Sequence, residues 1–338
     1  MDFFRDNVRR MAGYTPGEQP QDKAYVKLNT NENPYPPSPK VLAAIRAAAD
    51  ERLRLYPDPM GVAFRRKVAE VCGFDVDEVI AGQGGDDILN LVVRACADKG
   101  DKVASIYPSY TLYDTLAELQ EAEFVRVDEV AELADAGARV SFVCNPNAPT
   151  GVWTEIAALD ELAPKLDGLL VIDEAYADFA EETCLPLVRN HANVIVVRTL
   201  SKSFSLAGMR LGYGVSQRAN IEQLFKVKES YNLDRISLAA AEAALGDLEH
   251  AQANVRKVIA TRERLQAELD AIGLAYYPSR SNFVFFRIEN AAAVKQALMD
   301  RGVLVRYLRL PGYEDSLRVS IGSDAEIDRF LSELKEIT

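Results

Sequence analysis

Between about residue 78 and residue 215 the chain alternates short β-rich apolar runs with helical patterns, and this alternation restricts its fold more than any other feature. The runs are Val79 to Ala81, Val103 to Ile106, Phe124 to Val127, Val140 to Cys144, Leu169 to Ile172, Val194 to Val197 and Tyr213 to Val215. Helical stretches separate the first six, among them Asp87 to Asp98, stopped by Gly100, and Glu155 to Leu166, stopped by Gly168. Strands that read as unbroken apolar runs are covered on both faces, so the pattern predicts an α/β fold with a mainly parallel seven-stranded sheet sandwiched by helices. In such sheets ligands sit beyond the carboxyl ends of the strands. Functional residues should therefore follow strands.

The last third reads differently. Val255, Val258, Ile259, Arg262, Leu265, Leu269 and Ile272 share one helical face, with Gly273 as the stop. Alternating or apolar runs follow at Asn282 to Ile288, Val303 to Arg306 and Leu317 to Ile321, the pattern of a smaller α+β domain. The Pro-rich stretch Asn33 to Pro39 cannot be a helix interior and reads as an extended arm. At roughly 150 residues per domain, 338 residues suggest two. The expected division is an N-terminal arm over 1–35, a large domain over 36–235 and a small domain over 236–338.

Charge narrows the function. Acids outnumber bases by 51 to 39, a formal charge of −12, which argues against nucleic acid or an anionic membrane as partner. A small pocket can still be locally basic. Only His191 and His250 occur, so a histidine-rich metal site and a histidine general base are both disfavoured. The start, Met1 to Asp6, carries charges where a signal peptide needs an apolar stretch, and no apolar run approaches the roughly 18 residues of a membrane span. Cys72, Cys96, Cys144 and Cys184 are scattered without a C-x-x-C pair, as expected of reduced thiols in a cytoplasmic protein.

Four segments carry chemistry. The sharpest runs from Arg198 to Tyr213, where Ser201 and Lys202 fall just past a strand. A lysine among small hydroxyl residues suits a Schiff base to an aldehyde cofactor, and Ser201 with Arg210 could grip a phosphate; the alternative is a surface lysine before a turn. In Leu169 to Tyr176 a buried strand ends in acids. Asp173 there could pair with a protonated ring nitrogen and Tyr176 could meet a ring hydroxyl; a helix cap or a magnesium ligand are the alternatives, although no Walker-type Gly-x-x-x-x-Gly-Lys-Ser/Thr accompanies it. The loop Gly82-Gln-Gly-Gly-Asp-Asp87 opens a helix, where free N–H groups bind phosphate, and Asp87 at the third glycine position disfavours a dinucleotide fingerprint. Cys144-Asn-Pro-Asn-Ala-Pro-Thr-Gly151 forms a turn after a strand, and Tyr110 either stacks on a flat ring or packs.

In this order the segments resemble the fold-type-I pyridoxal-phosphate enzymes, and among them the histidinol-phosphate aminotransferases. The resemblance spans the chain through Leu28-Asn-Thr-Asn-Glu-Asn-Pro34, Leu55-Tyr-Pro-Asp-Pro59, Asp173-Glu-Ala-Tyr176, Ser201 to Gly212, Lys228-Glu-Ser-Tyr-Asn232 and Leu317-Arg-Val-Ser-Ile-Gly322. It implies a transaminase acting on histidinol phosphate and glutamate or 2-oxoglutarate in histidine biosynthesis, with pyridoxal 5'-phosphate as cofactor. Lys202 would join the cofactor aldehyde, Asp173 would face the pyridine nitrogen, Tyr176 would meet the ring hydroxyl and Tyr110 would stack on the ring. Gly84, Gly85, Asp86, Ser201 and Arg210 would hold the phosphate. Tyr56 would reach the neighbouring subunit's cofactor, which implies a homodimer. Arg318 would receive a substrate anion, with Tyr14, Asn33 and Arg306 as further substrate contacts.

The sequence departs from the family pattern in two places. The loop that usually reads Asn-Pro-Thr-Gly has Ala148 before Pro149, so the asparagine expected at the cofactor's ring oxygen is missing. Either Asn147 takes its place after a one-residue shift or Tyr176 serves alone, and a shift within a Pro-bracketed turn is costly. Gly85 also stands where a serine is usual. An aromatic-amino-acid aminotransferase and a threonine-phosphate decarboxylase share the fold and remain alternatives.

Overall fold

A computed structural model describes residues 3–13, 17–20 and 24–337. Its strands are β1 (Val26–Leu28), β2 (Val79–Gly82), β3 (Lys102–Ile106), β4 (Glu123–Val127), β5 (Val140–Cys144) and β6 (Leu169–Asp173). They continue with β7 (Val194–Thr199), β8 (Gly212–Ser216), β9 (Phe283–Arg287), β10 (Val303–Tyr307) and β11 (Ser316–Ser320). β2 to β8 form a seven-stranded sheet in the order β2-β8-β7-β6-β5-β3-β4. Only β8 runs against its neighbours β2 and β7. The middle strands β5 and β6 are buried almost along their whole length, which is why their sequences show no polar alternation.

Local chemistry sets the helix ends. The stretch expected as one helix to Leu166 is α-helical only over Ile156–Leu162 and tightens into a 3₁₀ turn at Ala163–Lys165. Pro164 has no N–H to continue the ladder. The long helix Leu248–Ala271 closes on Gly273 at φ 75°. There Leu274 N–H donates to the Leu269 carbonyl at 3.0 Å and Gly273 N–H to that of Asp270 at 3.1 Å, the paired bonds of a Schellman stop. The Pro-rich arm is shorter than its sequence suggests, because Pro39 opens the helix Pro39–Ala48 with Ser38 as its cap.

The second sheet has the order β1-β10-β11-β9, and β1 lies parallel to β10. Residues 26–28 thus share one small sheet with residues 283–320, and the segment after β1 reaches Lys202, whose carbonyl accepts from Asn33. Among the described residues no helix is long and apolar enough to cross a membrane. All four cysteines are unpaired thiols.

Candidate active site

Strand ends build the site. β6 delivers Asp173, β7 leads into Ser201 and Lys202, β5 into the loop carrying Ala148, and β2 into the glycine loop before the helix Gly85–Cys96. The residues after these strands line a cavity of about 160 Å³ that includes Asp173, Tyr176, Ser201, Lys202, Arg210 and Arg318. A larger cleft of about 750 Å³ shares Asn29 and Arg306 with it.

Asp173 is 5% exposed. It accepts from the Tyr113 hydroxyl at 2.8 Å and from Ala175 N–H at 3.1 Å. Burial pushes its carboxyl up to about 6, against the pull of those two donors and of Lys202. Tyr113 is itself held flat on Phe142, ring centroids 4.3 Å apart, and edge-on to Tyr110. The sequence reading missed Tyr113; its only signal was a second tyrosine three residues beyond Tyr110, at the start of a helix.

Lys202 Nζ donates to the Thr30 carbonyl at 3.4 Å and lies 5.6 Å from the centre of the Tyr176 ring. Burial, with Arg318 and Arg210 adding to it, brings its pKa down to about 8, while Asp86 and Glu32 oppose the shift. Beneath this lysine lies an ionic network. Arg198 bridges Glu174 at 3.3 Å and Asp178 at 2.6 Å, and Asp178 accepts from the hydroxyl of Ser203.

At the other end, Arg210 Nη1 donates to Ser201 Oγ at 3.4 Å, and Nη2 to Asp86 at 3.3 Å. Gly84 has φ 81°, and a Cβ there would come within 2.7 Å of Arg210 Nη2. A Cβ on Gly212 would run into the backbone of Gly84 and Gly85. The glycines therefore let two backbone segments and an arginine converge where the helix Gly85–Cys96 presents its first N–H groups. Arg306 and Arg318 face each other across β10 and β11, which puts two further cations on the opposite wall.

The sequence profile of the family described as aminotransferase class I and II matches residues 23–334. The chain belongs to this aminotransferase family. It is 45% identical to histidinol-phosphate aminotransferase 1 of Nostoc sp. over 99% of the chain and 98% of that protein. It is 46% identical to the histidinol-phosphate aminotransferase of Geotalea uraniireducens over 99% of each. The crystal structure of histidinol-phosphate aminotransferase from Sinorhizobium meliloti in complex with pyridoxal-5'-phosphate superposes with a TM-score of 0.90 at 26% identity, covering 100% of this chain and 99% of that one. This aminotransferase thus has the fold-type-I architecture expected from its strand pattern.

Most residues singled out in the sequence meet at this cavity. Gly85, Asp86, Tyr110, Asp173, Tyr176, Ser201, Lys202, Arg210, Arg306 and Arg318 line it, and Gly84 backs Arg210. Two asparagines do not. Asn147 spends its amide on the loop, donating to the Pro108 carbonyl and Thr150 Oγ1, both at 2.9 Å, and accepting from Ser109. Asn33 donates to the carbonyls of Lys202 at 3.1 Å and Ser203 at 3.4 Å, so it holds the lysine's backbone instead of facing the cavity. Tyr56 is 78% exposed and stacks on Tyr231 at 4.4 Å, away from the cavity of its own chain. Tyr14 lies outside the described residues. Among the lining residues not anticipated is Asn31, whose amide reaches Tyr176.

Proposed function

We propose that this aminotransferase binds pyridoxal 5'-phosphate in the 160 Å³ cavity and moves an amino group between histidinol phosphate and 2-oxoglutarate or glutamate. The observation that carries the reading is the set of groups on one cavity: an amine brought down to about 8, a carboxyl near 6 held by Tyr113, and cations at both ends. The residues fit the cofactor. A Cβ at Gly84 would press on Arg210 and one at Gly212 on the backbone of Gly84 and Gly85, so the bare glycines keep Ser201, Asp86 and Arg210 together as a cradle suited to a phosphate. Tyr110 stands beside Tyr113 as a stacking face.

When bound, the cofactor supplies an aldehyde and a ring that withdraws electrons. The chain's own residues do the rest. Asp173, ionised above about pH 6, keeps a ring nitrogen protonated. Lys202 Nζ changes charge near neutral pH, so it can take the substrate's Cα proton and give it back. Asn33 fixes the backbone from which that lysine swings. Arg318 and Arg306 receive the substrate's carboxylate or phosphate, since guanidinium groups suit either anion. The locally basic cavity thus coexists with an acidic exterior.

The same reading makes the protein a homodimer in which Tyr56 reaches the neighbouring site. Its support is an exposed apolar stretch of Leu53, Leu55, Tyr56 and Met60, in which Tyr56 stacks on the likewise exposed Tyr231. A monomer in sedimentation analysis refutes this part. A cytoplasmic location is supported by the four unpaired thiols and is tested by cell fractionation. The deciding experiment for the activity is steady-state transamination of histidinol phosphate with 2-oxoglutarate beside a panel of aromatic amino acids, with carbon dioxide release monitored. Preference for an aromatic amino acid, or decarboxylation, overturns the substrate assignment.

A further inference from the structure

Asn31 is 2% exposed and sits in a left-handed conformation, φ 57°. Its surroundings determine which way its amide points. The backbone N–H of Asn31 donates to Ser320 Oγ at 2.8 Å, so that hydroxyl turns its own proton toward Asn31 Oδ1, 2.9 Å away. The Asn31 carbonyl accepts from Asn282 at 2.9 Å, which anchors the residue to the small sheet. With Oδ1 committed to Ser320, the Nδ2 end faces Tyr176 and donates to its hydroxyl oxygen at 3.0 Å. A phenol oxygen that accepts from an amide must direct its own proton elsewhere, and Tyr176 opens onto the cavity shared with Asp173 and Lys202.

We propose that Asn31 is a positioning residue that orients the Tyr176 phenol as a hydrogen-bond donor to an anionic ring oxygen of the cofactor, compensating for the amide that Ala148 cannot supply. The inference rests on the reading of the cavity as a pyridoxal-phosphate site. Ala148 lines the cavity without a polar side chain, and the amide of the neighbouring Asn147 is already engaged by the Pro108 carbonyl and Thr150 Oγ1. Burial keeps the phenol protonated by pushing its pKa up, so it remains a donor throughout the working range. Donation from Asn31 also strengthens the phenol as a donor, because hydrogen bonds in a chain polarise one another.

A donor to the ring oxygen stabilises its anionic form and loosens its hold on the proton shared with the lysine nitrogen. Tyr176 therefore lowers the pH midpoint of the bound cofactor's visible absorption band, and Asn31 acts through it. The test is a pH titration of that band in wild type, Asn31→Gly, Tyr176→Phe and the double variant. Glycine tolerates the positive φ, so the backbone is kept. Asn31→Asp, which keeps shape and the acceptor for Ser320 but cannot donate to the phenol, runs alongside as a second variant. Asn31→Gly should raise the midpoint by roughly half a unit or more, as expected for one lost hydrogen bond. Either substitution should shift it less in the Tyr176→Phe background than in wild type. Equal shifts in both backgrounds, or no shift from Asn31→Gly, overturn the inference. If wild type itself develops no visible band, the cofactor reading fails, and the inference with it.

Discussion

The role proposed for Lys202, attack on an aldehyde, requires a neutral amine, and the neutral fraction can be worked out. With its pKa at about 8, roughly one Lys202 in ten is neutral at pH 7; at the ordinary value of 10.5 it would be about one in three thousand. Burial in this cavity thus supplies a gain of about 300-fold in reactive amine. When cofactor-free protein is mixed with pyridoxal phosphate in a stopped-flow instrument, the growth of the visible band should quicken about tenfold per pH unit from pH 6 and level off near pH 8. Two substitutions should move this inflection in opposite directions. Arg318→Met removes a cation that disfavours the charged amine, so the inflection rises and the rate at pH 7 falls. Glu32→Gln removes an anion that favours it, so the inflection falls. Because burial is the largest cause, the Arg318→Met inflection should still lie below 10.5. A wild-type rate that keeps rising past pH 10, or shifts of the same sign in both variants, refutes the electrostatic account.

Two further outcomes follow from the packing. Gly84→Ala sets a methyl group 2.7 Å from Arg210 Nη2 in a left-handed backbone; losing one charge-assisted contact should weaken pyridoxal-phosphate binding on the order of 10- to 100-fold in an absorbance titration, and unchanged affinity would remove the phosphate from this end of the cavity. Arg198→Met strips the fully buried Glu174 of its cation and should cost about 3–5 kcal/mol in denaturant unfolding at pH 8. Burial already raises the Glu174 pKa and loss of Arg198 raises it further, so the folded state penalises the charged form above that pKa and the penalty fades as pH falls through it. The deficit should therefore shrink as pH falls; a deficit constant with pH contradicts this account.

The large sheet was legible because its strands are buried on both faces, so burial wrote itself into uninterrupted apolar runs such as Val140 to Cys144 and Leu169 to Ile172. β1 was not, since three residues centred on Lys27 make no local pattern and owe their conformation to β10, distant in sequence. The same division runs through the site. Asp173 ends β6, Lys202 comes just after β7 and Arg210 just before β8, so their positions can be read from the strand pattern. Asn31 and Tyr113 act on other side chains that only the fold brings near, at 3.0 and 2.8 Å. Asn33 and Asn147 have side chains suited to a ligand, yet their amides bind backbone carbonyls. An asparagine in a motif carries no indication of which partner it will choose.

The pairing of β1 with β10 also sets an order of assembly. Chains are made from the N-terminus, and domains generally fold as units during synthesis. The strands of the large sheet, all complete by residue 216, can pair while the rest is still being made. β1 must wait for residues 303–305, and Asn31 for Asn282 and Ser320. Asn33 leads from this late-fixed segment to the carbonyl of Lys202. A segment synthesised before the large sheet is thus ordered after it, and the lysine acquires its final setting only once residues 282–320 have been made. An unfinished chain can hold much of the core without yet holding a complete site.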